Sequence, residues 1–548
     1  MNKMIKYGLL TLAIGTLAVS CADYNEVNNF TAEPDPTVTT PYNDLNPVKS
    51  YINREIYPNM SIDAAINIKD FKDQALAHAA AVSNFNSYYF GTAFMSGSII
   101  NPKGVLNFID MKEQLDHVQE INGEVYGSAI AANSNQADGW LSLLTAPIEI
   151  VVEFKELLAA DFSKGDSYTG TGGSLVTKDG EKVVKIGSKS TVVEGFAVEP
   201  KARYTTQLWV RADKGKTATF SIVFSGTKVD GPVGGKYVLE GASEWSRITI
   251  DEEPADGVED GYLRIEPVRG STVFVKKVQV GFLPDNHKEQ TIEQKQDTLR
   301  WAMGTWCDGL MKNNAGRMKS FDLIEEPLGD KTLAGSEILD LKHSTDKYYW
   351  QDYFDYGGKN GSELYAPIVS DSAIVAFKKY GGNADDLKFF ICEKGLDGTQ
   401  KFESLMHWIE IWKQNGAKID GINARVSLVF DEDDNSANEA AFDKLLANLK
   451  STGMLVRLSN FDITYQAAGA NVAAKDITDV QRKNLADYNA KLIKKYLTTI
   501  DPKLQAGICK GNIADTGDPV GLWSVDTKTK DWVRSATYKA FCDALSGK

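Results

Sequence analysis

Arg317-Met-Lys-Ser-Phe-Asp-Leu-Ile-Glu-Glu-Pro-Leu-Gly-Asp330 decides how the rest of this 548-residue chain is read. A basic residue, a short apolar run, two adjacent carboxylates and a Pro-Leu break predict a buried strand that ends at a polar rim. Glu325 and Glu326 then stand at its C-terminal end, where parallel barrels carry their chemistry. Paired acids at a strand end also serve as solvated or helix-capping groups, so this stretch needs its surroundings.

The surroundings alternate strand and helix. Met60–Ile66, Phe85–Gly91 and Val125–Asn133 have strand character, with a helical stretch at Phe71–Val82. After the quoted strand, a helical pattern over Asp352–Tyr380 leads to strands at Leu387–Cys392, Ile419–Leu428, Met454–Ile463 and Ala506–Ala514. Helices at Gln400–Gln414, Asn438–Thr452, Asp476–Leu497 and Ser535–Leu545 separate and follow them. Eight such units make a (β/α)8 barrel. Between residues 147 and 284 the pattern changes to short alternating segments with Gly- and Asp-rich turns, which predicts an all-β sandwich. The expected fold is therefore an α/β barrel, residues 49–146 and 285–548, interrupted after its third strand by a β-sandwich.

Phe321-Asp-Leu-Ile-Glu-Glu-Pro-Leu328 resembles the fourth-strand motif Trp-Asp-Val-Val-Asn-Glu-Ala-Leu of glycoside hydrolase family 10, the xylanase barrels. Lys388-Phe-Phe-Ile391, Lys418-Ile-Asp-Gly-Ile422, Gly521-Leu-Trp523 and Ala536-Thr-Tyr538 follow in the family's order. The resemblance implies a TIM barrel, a xylan-type ligand and an acid/base glutamate at Glu326. Tyr204–Ala212, residues 243–250 and Val273–Val280 are similar to the jelly-roll carbohydrate-binding modules found inserted in such barrels.

The sugar-handling positions depart from the family. Its second-strand Asn-Glu-Met-Lys stands here as Thr92-Ala-Phe-Met95, and its third-strand histidines and tryptophan fall in Gly127–Asn133. The fifth-strand Asn-Asp-Tyr-Asn has become Cys392-Glu-Lys-Gly395, and the sixth-strand Gln and His align with Arg425 and Ser427. The nucleophile's place in Thr-Glu-Leu-Asp is Asn460, in Ser459-Asn-Phe-Asp462. An amide cannot form the glycosyl ester that a retaining enzyme requires. The eighth-strand tryptophan aligns with Gly511. Glu325 and Glu326, as strand neighbours, are expected on opposite faces, unable to flank one bond without a bulge. Asp462 is the remaining carboxylate on the face of Asn460.

The expected activity is therefore binding of a xylan-type polysaccharide without efficient cleavage. The rival readings are a glycosidase with relocated carboxylates and a scaffold that binds no sugar. Glu325, Asn133 and Arg425 on the barrel, with Trp209 and Trp245 on the insert, are the candidate sugar contacts. No cofactor is implied. The five histidines lack paired ligand spacing, and Cys307, Cys392, Cys509 and Cys542 lack a Cys-x-x-Cys pattern, so a metal centre is not expected. Asp431-Glu-Asp-Asp434 lacks the glycine of a tight calcium loop and is read as a solvated turn. A net charge of −14 argues against a nucleic-acid partner.

Lys3 and Lys6 precede an apolar run from Tyr7 to Val19 and then Ser20-Cys21. This is the pattern of a lipoprotein signal peptide, residues 1–20, with Cys21 as the acylated residue. Residues 21–48, with Pro34, Pro36 and Pro41, read as an extended tether. The implied setting is an exported lipoprotein at the outer membrane and cell surface, working beside other glycan-uptake proteins. Replacing Cys21 with Ser is expected to abolish incorporation of labelled palmitate and to release the protein from the membrane fraction, read by autoradiography and fractionation.

Overall fold

The computed structural model describes residues 42–199, 201–225, 232–241, 244–253, 260–345, 347–526 and 528–547. Cys21 and the leader lie outside them, as does most of the tether. The chain divides into two units, one formed by residues up to Thr145 together with Thr291–Lys548, the other by Ala146–Gln290.

In the first unit eight strands close into a parallel barrel: β1 (Ser61–Ala65), β2 (Ser87–Tyr89), β3 (Glu124–Gly127), β4 (Ser320–Glu325), β5 (Lys388–Lys394), β6 (Gly421–Arg425), β7 (Leu455–Ser459) and β8 (Gln505–Lys510). The ring closes where Ser61–Ala64 of β1 pairs with Gly507–Lys510 of β8. Outside it run α1 (Leu76–Asn84), α2 (Ile109–Glu120), α3 (Ile292–Asn314), α4 (Gly361–Lys379), α5 (Thr399–Gln414), α6 (Ser436–Ser451), α7 (Asp479–Thr499) and α8 (Ala536–Leu545). The predicted helix over Phe71–Val82 is two helices, because Gln74 takes a left-handed φ of 50° between them. Capping boxes start three of the others: Thr291 with Gln294, Asn360 with Glu363, and Thr478 with Gln481.

The strands read as apolar runs because both faces are covered, one by helices and one by the barrel interior. Leu323 and Ile324 on β4, Phe389 and Ile391 on β5, and Val456 and Leu458 on β7 are all fully buried. Gly127 on β3 is required for a close approach: a Cβ there would lie 2.1 Å from the Phe321 ring of β4.

Branched apolar side chains usually fill such an interior. Here one layer is polar. Arg457 of β7, 1% exposed, donates to Oδ2 of Asp63 on β1 from Nη2 at 2.7 Å and from Nε at 3.1 Å. Its Nη1 donates to Asn423 Oδ1 on β6 at 3.3 Å, and its guanidinium lies 3.7 Å from the centre of the Tyr126 ring of β3. Asn423 and the Tyr126 hydroxyl then donate to Asp322 on β4, at 3.0 Å and 2.7 Å. Five strands are thereby tied through one buried cation.

The second unit has two antiparallel sheets over a shared apolar core that includes Tyr204, Leu208, Phe220, Ile222, Leu263 and Val278. It runs on to Gln290, past the expected end at residue 284, because His287–Lys288 pairs with Ile148–Glu149 and brings the unit's two chain ends together.

Burial pushes the Asp322 carboxyl up to about 6, against the opposing pull of Arg457 and of the Tyr126 and Asn423 hydrogen bonds. The native state therefore holds this proton over a range in which the unfolded chain, titrating near 3.8, has lost it. Stability from this site is expected to fall as pH rises from about 4 to about 6 and to stay level above. Asp322→Asn is expected to flatten that slope in urea titrations run across the range.

Candidate functional site

The C-terminal ends of the barrel strands gather the candidate residues of the first unit. Glu325 is the last residue of β4, and Glu326 beyond it takes a φ of 45° while its N–H donates to Cys392 O at 2.7 Å. A left-handed non-glycine residue costs about 1–2 kcal/mol, and here it ends the strand's alternation. The two carboxylates therefore do not diverge, as strand neighbours were expected to. Both meet the guanidinium of Arg425 at the end of β6: Nη2 on Glu325, and Nη1 on Glu326 at 2.8 Å.

Two lysines complete the cluster. Lys394, the last residue of β5, donates to Glu326 Oε2 at 2.8 Å, and Lys342 lies 3.8 Å from the same oxygen. Burial raises the Glu326 pKa, but the Lys394 hydrogen bond and the charges of Arg425, Lys394 and Lys342 outweigh it. Its carboxyl is held below the usual range. Neighbouring Glu393 is turned into the structure, accepting from Leu328 N and pairing with Lys401 at 3.0 Å.

Asn460 follows β7 with a φ of 57°, and its amide donates to Val426 O at 3.1 Å. Asp462 is fully engaged. Lys510, with no exposed surface, donates to Asp462 Oδ1 at 2.5 Å and also to Phe461 O and Val520 O; Asn512 Nδ2 donates to Asp462 Oδ2 at 2.7 Å. Gly511 lies against this group. A Cβ there would come within 2.7 Å of both Asn460 Oδ1 and Asp462 Oδ2, so no tryptophan fits at this place without rebuilding the rim.

Asn133 stands beyond the short extension of β3 that pairs with Ile324 and Glu325. Its Oδ1 accepts from Gln351 Nε2 at 3.5 Å, while its buried Nδ2 has no protein partner among the described residues. Trp209 and Trp245 belong to the other unit. Trp209, between Arg247 and Lys277 in the strand register, has the Lys277 ammonium 4.8 Å from its ring centre. Trp245 lies under the Arg211 guanidinium at 4.7 Å, and its N–H donates to Glu181 at 3.1 Å. The four cysteines among the described residues are buried free thiols. In the acidic turn, Asp431 and Asp434 accept backbone N–H groups of Asp433 and Ser436.

Sequence reasoning missed the cleft at the ends of β1, β2 and β8. It measures about 490 Å3 and is lined by Tyr89, Thr92, Asn512, Asp515 and Trp532 among others. Trp532 stands on a hairpin in which Trp523–Val525 pairs with Trp532–Arg534, beyond the last barrel strand. Its signal was a lone aromatic in a polar stretch, which carries no periodicity.

The family model described as glycosyl hydrolase family 10 matches residues 267–501. Among solved structures, the GH10 structure from Paenibacillus barcinonensis is 11% identical, with a TM-score of 0.51, and the match covers 90% of this chain and 97% of that one. Native xylanase10C from Cellvibrio japonicus is also 11% identical, with a TM-score of 0.51, over 93% of this chain and 75% of that one. At such identity the likeness is one of fold. Comparison with curated proteins found no match.

Arg425→Ala leaves Glu325 and Glu326, with side chains 9% and 16% exposed, facing each other without their shared cation. After discount for partial exposure, a loss of about 2–3 kcal/mol is expected in urea denaturation at pH 7. The deficit is expected to narrow toward pH 4, because Arg425 helps hold the Glu326 carboxyl below its usual range and that contribution is lost as the group takes up its proton.

Proposed function

We propose that this protein, whose barrel resembles that of glycosyl hydrolase family 10, is a lipid-anchored surface protein that holds a xylan-type polysaccharide across its barrel mouth without cutting it efficiently. Retaining hydrolysis needs two carboxyl groups about 5–5.5 Å apart, one to attack the anomeric carbon and one to protonate the leaving oxygen. The double ion pair on Glu326 is the observation that carries the proposal. A general acid must keep its proton near neutral pH, which requires a raised pKa, and Glu326 is shifted the other way by Arg425 and Lys394.

The attacking group fares no better. At the nucleophile's position stands the Asn460 amide, hydrogen-bonded to Val426 O, and neighbouring Asp462 is occupied by Lys510 and Asn512. Binding remains chemically supported, since the cleft sets two aromatic rings, Tyr89 and Trp532, among amide, hydroxyl and carboxylate groups. Pyranose faces pack on flat rings while polar neighbours take the hydroxyls. An acyl chain on Cys21 and a proline-containing tether would keep this mouth at the cell surface, beside the proteins that import the glycan.

Affinity electrophoresis and a reducing-sugar assay on xylans test the reading together. Retardation in xylan gels is expected, with Trp532→Ala weakening binding about tenfold. Reducing ends are expected to form no faster than in a protein-free blank, both for the natural protein and for Asn460→Glu. Turnover that disappears in Glu326→Gln, or a covalent sugar adduct on the protein, would overturn the proposal.

A further inference from the structure

The rim between the outlets of β3 and β4 carries a strap whose described residues are 342–345 and 347–353. At its entry the Lys342 N–H donates to Pro327 O at 2.8 Å, and the Lys342 ammonium lies 3.8 Å from Glu326 Oε2. At its exit Gln351, 2% exposed, donates from Nε2 to Lys342 O and, at 3.5 Å, to Asn133 Oδ1. Between them Tyr348 O accepts from Gln136 Nε2, and the Tyr348 hydroxyl lies 2.6 Å from Thr145 Oγ1.

His343 closes the strap on itself. Its Nδ1 is hydrogen-bonded to Asp352 Oδ1 at the exit, and its Nε2 lies 3.5 Å from Asp340 Oδ1 on the strand Leu339–Leu341 that leads in. Asp352 Oδ2 also accepts the Ser344 N–H, at 3.1 Å. A protonated imidazole donates to both carboxylates, whereas a neutral one keeps a single ring proton and loses the ion-pair attraction. The Asp352 hydrogen bond and the charges of Asp352 and Asp340 raise the His343 pKa from 6.5 against burial. The clasp is therefore complete below pH 6.5 and is lost as pH rises through the higher native value. The charges around it are Lys342, turned to Glu326, and Lys347, which pulls the Asp138 carboxyl down against burial. Tyr353, stacked on Tyr348, is held above its ordinary value by burial and by the charges of Tyr348 and Asp352.

The closed strap buries Asn133 Nδ2 and Gln351 Oε1, a donor and an acceptor without a protein partner among the described residues. Each such group costs about 1–3 kcal/mol, so the clasp holds closed what these amides favour opening. Uncovered, they offer the donor and the acceptor that a sugar hydroxyl pairs with. We infer that this strap is a proton-held lid on the rim, closed by His343 between Asp340 and Asp352 and released when the imidazole is neutral, so that glycan binding strengthens as pH rises through neutrality. The ligand rests on the glycan-binding reading, but the strap itself is tested without one.

Hydrogen–deuterium exchange on the full chain, corrected for the intrinsic pH dependence of amide exchange, reads the strap directly. Peptides from residues 342–353 are expected to be about tenfold less protected at about pH 8.5 than at about pH 6, the fold-change of one charged hydrogen bond. His343→Gln is expected to show the lower protection at both values, and Asp352→Asn to do the same if the first variant does not fold. Calorimetry with xylo-oligosaccharide is expected to show affinity rising about fivefold over the same step in the natural protein, and already at the higher level throughout in His343→Gln. Equal protection at the two pH values, a pH dependence that survives both variants, or an affinity that stays constant while the strap opens overturns the inference. If the strap opens as expected and no xylo-oligosaccharide binds at either pH, the clasp stands and the polysaccharide reading falls.

Discussion

The ion pair between Arg457 and Asp63 sets the terms for the barrel. A guanidinium with almost no exposed surface has two carboxylates within its network, Asp63 directly and Asp322 through Asn423, and it lies flat on Tyr126. Taking these groups out of water is expensive, and an apolar filling of equal volume would serve stability as well or better. What the network supplies is direction. Each hydrogen bond fixes one side chain of β1, β3, β4, β6 or β7, so the ends of those strands reach the rim at defined places.

At the rim the same chemistry recurs one layer up, with the excess reversed. Arg425, Lys394 and Lys342 surround Glu325 and Glu326, so acids outnumber the cation inside and cations outnumber the acids above. A site built to protonate a leaving group keeps its acid poorly solvated and away from positive charge. Here the acid is surrounded by it. Glu326 and Asn460, one after β4 and one after β7, both take left-handed φ values, and both side chains are held by neighbours, Glu326 by Arg425 and Lys394 and Asn460 by Val426 O.

Much of this was legible in the sequence. The eight strands stood out as apolar runs because parallel strands are covered on both faces, and the insert because its period changed to two. Asn460 was singled out in the sequence only through the resemblance of Ser459-Asn-Phe-Asp462 to a family motif. The convergence of Glu325 and Glu326 on Arg425 was not, since alternation holds only while the chain stays extended and φ at Glu326 is positive. Asp63 and Arg457 gave a faint sign, as charged residues inside apolar strands, but nothing in either segment says that the two meet across 394 residues of chain. The place of Trp532 and the contacts of His343 depend on how loops and helices pack over the rim, and no local pattern encodes that.

The two-strand ladder of Ile148–Glu149 with His287–Lys288 bears on how such a split barrel comes together at all. Docking β4 against β3 joins stretches of chain separated by the whole insert, which by length alone would make a slow search with a large loop to close. Once the sandwich has formed, its entry and exit are tied side by side, and the loop that the barrel must close no longer includes the insert but only the stretches flanking the ladder, one of which carries α3. The sandwich leaves the ribosome before β4 does, so a sandwich that folds during synthesis would present the barrel with two chain ends already held together.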